Sequence, residues 1–405
     1  MPEVTIERLG HQGDGIAAGP IFVARTLPGE VIEGEIIGDR IVDPRIVTPS
    51  TSRVSPLCRH YKSCGGCSLQ HASDDFVLDW QKDVVARALN AVGLDAPLRR
   101  MHTSPPSSRR RATFGGRRTK KGAIIGFHAP GSDTLVATPD CQIVRRELLA
   151  VFPVLEDITK IGGSRKSTLK LSVTETETGL DISVQGGKPL DIDLRQSLVH
   201  LANDDVIARI SWDEEVIAQK VAPILTFGSA PVPIPPGAFL QATEQGSAAL
   251  LDSVTEAVDG ANKVLDLFAG CGTFSLPIAK TAAVHAVEND DALLSALDAG
   301  WRHAGGVHLV TTEKRDLFRR PMTPDELERF EAIIVDPPRA GAEAQTIEIA
   351  AANVQRIAAV SCNPVTFARD AAILSKSGYT IDWIDIVDQF RWSTHIELAA
   401  SFSRH

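Results

Sequence analysis

The chain has 405 residues, of which 43% are hydrophobic and 23% charged, with a formal net charge of -9. That length suits two or three domains with real cores, and the composition is ordinary for a soluble protein. No apolar run is long enough to cross a bilayer and no basic-flanked apolar leader opens the chain, so a cytoplasmic protein without a membrane partner is expected; the net acidity argues against indiscriminate nucleic-acid binding.

Residues 1–50 alternate short β-branched runs with Gly and Pro: Val4-Thr5-Ile6, Ile21-Phe22-Val23, Pro28-Gly29-Glu30-Val31 and Ile36-Ile37. Short strands with turn signals at this spacing predict a small β-barrel. The pattern resembles the TRAM module, an OB-like RNA-binding barrel, in abbreviated form, because strands past Ile41 are hard to find.

The next segment carries most of the thiols. The six cysteines are Cys58, Cys64, Cys67, Cys141, Cys271 and Cys362. Clustered thiols in a long cytosolic chain point to metal or catalysis rather than disulfides. Cys58-x5-Cys64-Gly65-Gly66-Cys67 together with Cys141 offers four thiolates to tetrahedral zinc or to an iron–sulfur cluster. The two glycines permit a tight turn that aims backbone N–H groups at sulfide, which favours the cluster. Zinc sites more often pair two short knuckles, and Cys141 has no cysteine neighbour.

Residues 74–92 place Phe76, Val77, Trp80, Val84, Val85, Ala88 and Leu89 near a 3.6-residue period, which predicts a helix. The stretch 99–121 holds Arg99, Arg100, Arg109, Arg110, Arg111, Arg117, Arg118, Lys120 and Lys121 and no Asp or Glu. It reads either as a solvated basic loop or as a phosphate-contacting patch. Residues 123–225 mix strands (169–173, 180–184) with helices such as 145–152, an α+β middle domain. The Pro-rich run Pro231-Val232-Pro233-Ile234-Pro235-Pro236-Gly237 is expected to be the joint that closes it.

From Ala238 onward apolar strands (263–268, 284–288, 308–311, 332–336, 357–361) alternate with helical segments, predicting a mostly parallel sheet with helices on both faces. In Leu265-Asp266-Leu267-Phe268-Ala269-Gly270-Cys271-Gly272-Thr273 a strand ends at a turn whose glycines permit close ligand approach, and a helix over 274–280 follows. The third glycine of a dinucleotide fingerprint is Ser275 here, and no phosphate-loop lysine is present. Glu288 closes the next strand, at a distance suited to ribose hydroxyls. With Asp316 and Asp336 after the third and fourth strands, the best fit is a cofactor with ribose but no pyrophosphate: S-adenosylmethionine. Cys271 lies inside the turn and reads as a small tolerated residue. In Asp336-Pro337-Pro338-Arg339 the arginine stands where amino-methylating enzymes carry an aromatic, which disfavours exocyclic amine methylation. Cys362, in Ser361-Cys362-Asn363-Pro364 just past an apolar strand, is a candidate nucleophile, and Glu397 is a candidate base.

Taken together, these residues resemble the bacterial RNA uracil-5 methyltransferase family, specifically its TRAM-bearing, iron–sulfur ribosomal RNA members. The matches run over essentially the whole chain: Pro28-Gly29-Glu30, the cysteine run through Gln70-His71, Cys141, Phe239-x-Gln241, the glycine turn, Asp336-Pro337-Pro338-Arg339, Ser361-Cys362-Asn363-Pro364 and His395-Ile396-Glu397. The resemblance implies three parts: a TRAM-like barrel (1–50), a central domain with a [4Fe-4S] cluster on Cys58, Cys64, Cys67 and Cys141 (51–230), and a Rossmann-like methyltransferase domain (231–405). It implies that Cys362 adds to C6 of an extruded uridine in a loop or single strand of 23S-type ribosomal RNA, with Glu397 removing the C5 proton. The site should then lower the pKa of Cys362 or take its proton on binding. Gln241, Phe268, Gly270, Thr273, Glu288, Asp316 and Asp336 should surround the methyl donor, and Arg339 and Asn363 lie close enough to touch base or backbone. Transfer RNA is disfavoured, because the tRNA branch lacks the barrel and the cysteine cluster, and a monomer is the default. The chain departs from the family at Thr243 and Thr273, where Asn is common, and at Arg391 and Ser393, where Pro and Thr are usual. A cytosine-5 methyltransferase and a non-catalytic iron–sulfur RNA-binding factor are the competing readings.

Overall fold

A computed structural model describes residues 2–404. The first part is a closed five-stranded barrel in the order Glu3–Leu9, Gly15–Ala17, Ile21–Val23, Arg40–Thr48, Val31–Ile37. Its core is Ile6, Ala17, Val23, Ile32 and Ile41. The barrel is therefore not short: the nine-residue strand Arg40–Thr48 closes it. Asp43 at φ 51° and a register shift between the Glu33 and Glu35 pairings break that strand's two-residue period, which hides it in the sequence.

The second unit is a seven-stranded sheet in the order Glu215–Gln219, Ile207–Trp212, Gly179–Gln185, Leu169–Thr176, Arg111–Arg118, Ala123–His128, Leu135–Ala137. Helices Phe152–Gly162 and Ile192–Leu201 cover one face, burying Leu155, Ile158, Leu194 and Leu198 against Leu169, Leu171 and Ile182. The expected helix over 145–152 is instead the short Arg146–Ala150, and Pro153 in the first turn of the next helix marks the break. The Pro-rich run is not a free joint. Ala230–Pro233 pairs with Ile224–Phe227, and Phe227, Val232 and Ile234 are buried in the core of the third unit.

The third unit is an eight-stranded sheet in the order Val310–Lys314, Ala283–Glu288, Lys263–Leu267, Ala332–Val335, Arg356–Ser361, Glu397–Ser403, Thr380–Asp388, Leu98–Thr103. Its first five strands are parallel and Glu397–Ser403 runs against them. Side chains alternate between two cores. Leu265, Ile333 and Ile357 face one layer of helices, and Val264, Ile334 and Ala358 face the other.

The edge strand Leu98–Thr103 and helix Asp74–Asn90 belong to this layer, so the expected central span 51–230 divides. The helix starts at Ser73, whose hydroxyl accepts from Phe76 N, with Asp74 and Asp75 in its first turn. It buries Val77, Trp80, Val85 and Leu89 beside Ile384 and Ile386, each worth roughly 1.5–3 kcal/mol of transfer free energy.

Candidate active site

Parallel strands put their carboxyl ends on one edge, and the loops there collect the chemistry. Phe268 to Gly272 follow Lys263–Leu267, Glu288 ends Ala283–Glu288, Asp316 follows Val310–Lys314, Asp336 follows Ala332–Val335, and Cys362 follows Arg356–Ser361. Glu397 begins its strand, but that strand is antiparallel, so its start lies at the same edge. Ser361 pairs with Leu398, which sets the next positions, Cys362 and Glu397, across from each other. The sheet register itself therefore brings the two candidate catalytic groups together.

They share a cavity of about 640 Å³, lined also by Gln241, Phe268, Gly270, Thr273, Glu288, Asp316, Asp336 and Arg339. That size takes a nucleoside-sized ligand and a base together. Gly270 (φ 56°) has nothing within 4 Å of where a Cβ would stand, so it opens onto the cavity. Phe268 is held at φ 63°, and its ring lies 5.5 Å from that of Phe318, which forms an aromatic wall. Glu288 is fixed by N–H groups of Gly270 (3.1 Å), Asn289 (2.6 Å) and Asp290 (3.1 Å). Asp316 accepts from Phe318 N at 3.0 Å. The helix after the turn is only Ser275–Ile278, shorter than the expected 274–280, and Ser275 donates to buried Asp266 at 2.5 Å.

Electrostatics set the resting state. Burial pushes Glu397 up to about 7, against a hydrogen bond from Gln389 that favours the carboxylate. Burial and the nearby Glu397 and Asp266 raise Asp336 well above the ordinary range, and burial raises Asp266 to about 7. Buried acids around one cavity suit a cationic ligand, and the sulfonium of S-adenosylmethionine is one. Burial, Glu397 and Asp336 also push Cys362 up to about 11, with Arg339 opposing them. That direction favours the thiol over the thiolate in the free site. Burial raises Cys271 to about 12, in keeping with an inert small residue.

Several residues do other work than the sequence suggested. Asn363 caps helix Pro364–Lys376, accepting from Val365 N and donating to the Arg339 carbonyl, both at 3.1 Å. Thr243 caps helix Glu244–Ala257, accepting from Gly246 N at 2.9 Å, so its short polar side chain serves as an Asn would. Gln389 was not foreseen: it donates to Glu397 (2.8 Å) and to Gln241 (2.6 Å) and accepts from Ala242 N (2.7 Å). Arg111, Phe318, Phe390 and His395 also line the cavity; of these the sequence singled out Arg111, in the basic stretch, and His395, two residues before Glu397.

Much of the basic stretch is engaged within the fold. Arg99 pairs with Asp385 and Glu256, and Arg100 with Glu256. Arg109 and Arg111 lie over Phe390 and Phe239, and buried Arg110 donates to the Gln241 carbonyl. Arg99 and Arg100 at its near end and Arg118, Lys120 and Lys121 at its far end are exposed.

Cys58, Cys64, Cys67 and Cys141 line one small cavity between the central sheet and loop 58–73. Gly65 donates to the His128 carbonyl at 2.8 Å, where a Cβ would collide with that same oxygen. Gly66 N–H points at Cys64 Sγ at 3.4 Å. Among the described residues, no three His, Cys, Asp or Glu side chains gather as ligands of one metal ion do. Also among them, no helix is long and apolar enough to cross a membrane.

The fold and site define a methyltransferase, and comparison with known proteins agrees. The tRNA (Uracil-5-)-methyltransferase family profile matches residues 306–405. A Brucella suis protein described as an RNA methyltransferase is 41% identical over 99% of this chain and 98% of its own. A Rhizobium meliloti protein of the same description is 42% identical over 99% of each chain. A Vibrio parahaemolyticus 23S rRNA (uracil(1939)-C(5))-methyltransferase is 27% identical over 99% of this chain and 95% of its own. The crystal structure of Pyrococcus abyssi tRNA (uracil-54, C5)-methyltransferase with S-adenosyl-L-homocysteine shares the fold over 99% of both chains, with a TM-score of 0.79 and 23% identity. The chain belongs to the RNA methyltransferase family of the Brucella and Rhizobium proteins.

Proposed function

We propose that this protein methylates C5 of a uridine in a loop or single-stranded stretch of 23S-type ribosomal RNA, through a transient bond between Cys362 and C6. The observation that carries the reading is the sheet register that sets Cys362 across from Glu397 on the wall of one cavity. S-adenosylmethionine, held by Gln241, Phe268, Gly270, Thr273, Glu288, Asp316 and Asp336, supplies an electrophilic methyl group. Cys362 supplies what uracil lacks: its sulfur adds to C6, the ring electrons shift toward O4, and C5 becomes the nucleophile. After C5 has taken the methyl group, Glu397 removes the C5 proton, the C5–C6 double bond re-forms and the sulfur leaves. Arg339 acts on the thiol as a positive charge and favours the thiolate that the first step needs.

We read Cys58, Cys64, Cys67 and Cys141 as ligands of an iron–sulfur cluster. They line one small cavity together with Gly66, whose N–H donates to Cys64 Sγ. We read the barrel as a TRAM-like RNA-binding module and propose three parts: barrel to about residue 50, central unit, and a methyltransferase domain from about residue 231 that also takes in helix 74–90 and strand 98–103. The fold does not separate rRNA from tRNA enzymes, since the Pyrococcus tRNA enzyme matches over the whole chain, barrel included. The ribosomal reading rests on the full-length likeness to the Vibrio enzyme.

The test offers unmodified 23S rRNA and tRNA, with methyl-labelled donor, to anaerobically prepared protein and then analyses nucleosides. Label in 5-methyluridine from rRNA is expected, and Cys362→Ala should abolish it. Label from tRNA alone would move the substrate. Label in 5-methylcytidine, or undiminished turnover by Cys362→Ala, would overturn the mechanism, and RNA binding without donor binding would indicate a non-catalytic factor.

A further inference from the structure

The loop that delivers Glu397 to the cavity, 389–396, is held from outside the methyltransferase sheet. Trp392 is buried and sits at φ 60°, a conformation that costs a bulky residue about 1–2 kcal/mol and persists only where surroundings impose it. What imposes it is the cysteine loop. The Trp392 carbonyl accepts two N–H groups, from Ser68 at 2.8 Å and Leu69 at 3.0 Å, the residues directly after Cys67.

A second link runs beside the first. Arg109 lines the four-thiol cavity, and its guanidinium lies 5.4 Å from the centre of the Phe390 ring. Phe390 in turn meets the His395 ring edge-on at 5.7 Å. Arg391 fixes the loop's outer side through Asp74 at 2.5 Å and the Ser104 carbonyl at 3.2 Å. At the end of the loop stand Gln389 and Glu397, joined at 2.8 Å. Among the described residues, no hydrogen bond of loop 64–69 reaches the donor-side strands Lys263–Leu267 and Ala283–Glu288.

We infer that loop 64–69 is the positioning element of the catalytic base. What fills the four-thiol cavity sets the Trp392 carbonyl and the Arg109–Phe390 stack, and through them the placement of Glu397. The inference rests on the reading of Glu397 as the group that takes the C5 proton. It gives the cysteine module a task in the proton-removal step and none in holding the donor. Arg109 and Trp392 are positioning residues, acting through Glu397.

The test compares full-length protein reconstituted with iron and sulfide, the same protein stripped by a chelator, and the variants Arg109→Leu and Arg109→Lys. Hydrogen exchange by mass spectrometry follows segments 66–70, 390–396 and 263–290. Stripped protein and Arg109→Leu should both exchange about tenfold faster in the first two segments and unchanged in the third, with Arg109→Lys recovering part of the protection. On uridine RNA, turnover should fall about tenfold to a hundredfold in Arg109→Leu, with donor affinity within about twofold of wild type. A denaturation-resistant protein–RNA adduct should accumulate, because addition proceeds while proton removal stalls. Wild-type protection of 390–396 in both stripped protein and Arg109→Leu would overturn the proposal, as would loss of donor affinity in step with turnover. The exchange measurement decides the coupling even if no methyl acceptor is found, and the stripped protein decides it if Arg109→Leu does not fold.

Discussion

Glu397 is buried on a cavity wall, and burial lifts its carboxyl from the usual 4.5 to about 7. The sign follows from proton counting. Between about pH 4.5 and 7 the folded chain keeps a proton that the unfolded chain has lost, so stability is full below that window and declines as pH rises through it. With Glu397 as the proposed base activity runs the other way, because only the carboxylate takes a proton, and turnover should rise through about pH 7. Glu397→Gln separates the two effects. It should be more stable than wild type at pH 8, by about 1–3 kcal/mol, and lose that advantage at pH 5. It should also accumulate the covalent RNA adduct without turning over. Denaturant titrations at the two pH values check it, and an equal difference at both would remove the buried charge as the cause.

At the scale of elements, the glycine turn divides its labour between two residues. Gly270 opens onto the cavity, whereas a Cβ on Gly272 (φ 92°) would stand 2.9 Å from Leu276 and Leu297. Gly272→Ala should therefore cost about 2–4 kcal/mol of stability, and Gly270→Ala about 1 kcal/mol together with a marked loss of donor affinity. Thermal melts and calorimetric donor titration tell them apart; a reversed order would refute this division. The turn was legible in the sequence because its chemistry is local: strand, glycines and helix all lie between Lys263 and Ile278. The strand Arg40–Thr48 was not, since a bulge at Asp43 breaks its alternation. Nor was the fate of Arg99 and Arg100, whose acidic partners Glu256 and Asp385 stand more than 150 residues away. Glu397 was legible only as a motif; its place across from Cys362 comes from antiparallel pairing, which no local pattern encodes.

On the scale of the whole molecule, the barrel is seated rather than tethered. Leu9 and Leu27 belong to the same core as Leu69 and Trp80, and Gly13 lies against Thr394 and Ser68 where barrel, cysteine loop and catalytic loop meet. Glu30 fastens the seat. Burial alone would raise its pKa, but two hydrogen bonds from Arg53 (2.5 and 2.8 Å) and the N–H groups of Leu27 and Ser50 outweigh burial and hold it below the usual 4.5. The stability this carboxylate contributes is present above pH 4.5 and is lost as pH falls through its lowered value. Glu30→Gln leaves Arg53 without its counter-charge and should cost about 2–4 kcal/mol at pH 7, the gap narrowing below pH 4.5. The loosened barrel should open the 49–57 segment to proteolysis and weaken RNA binding, while donor affinity, set on the far strands of the sheet, stays unchanged. Loss of donor affinity in that variant would mean that barrel and donor site are coupled through the core they share.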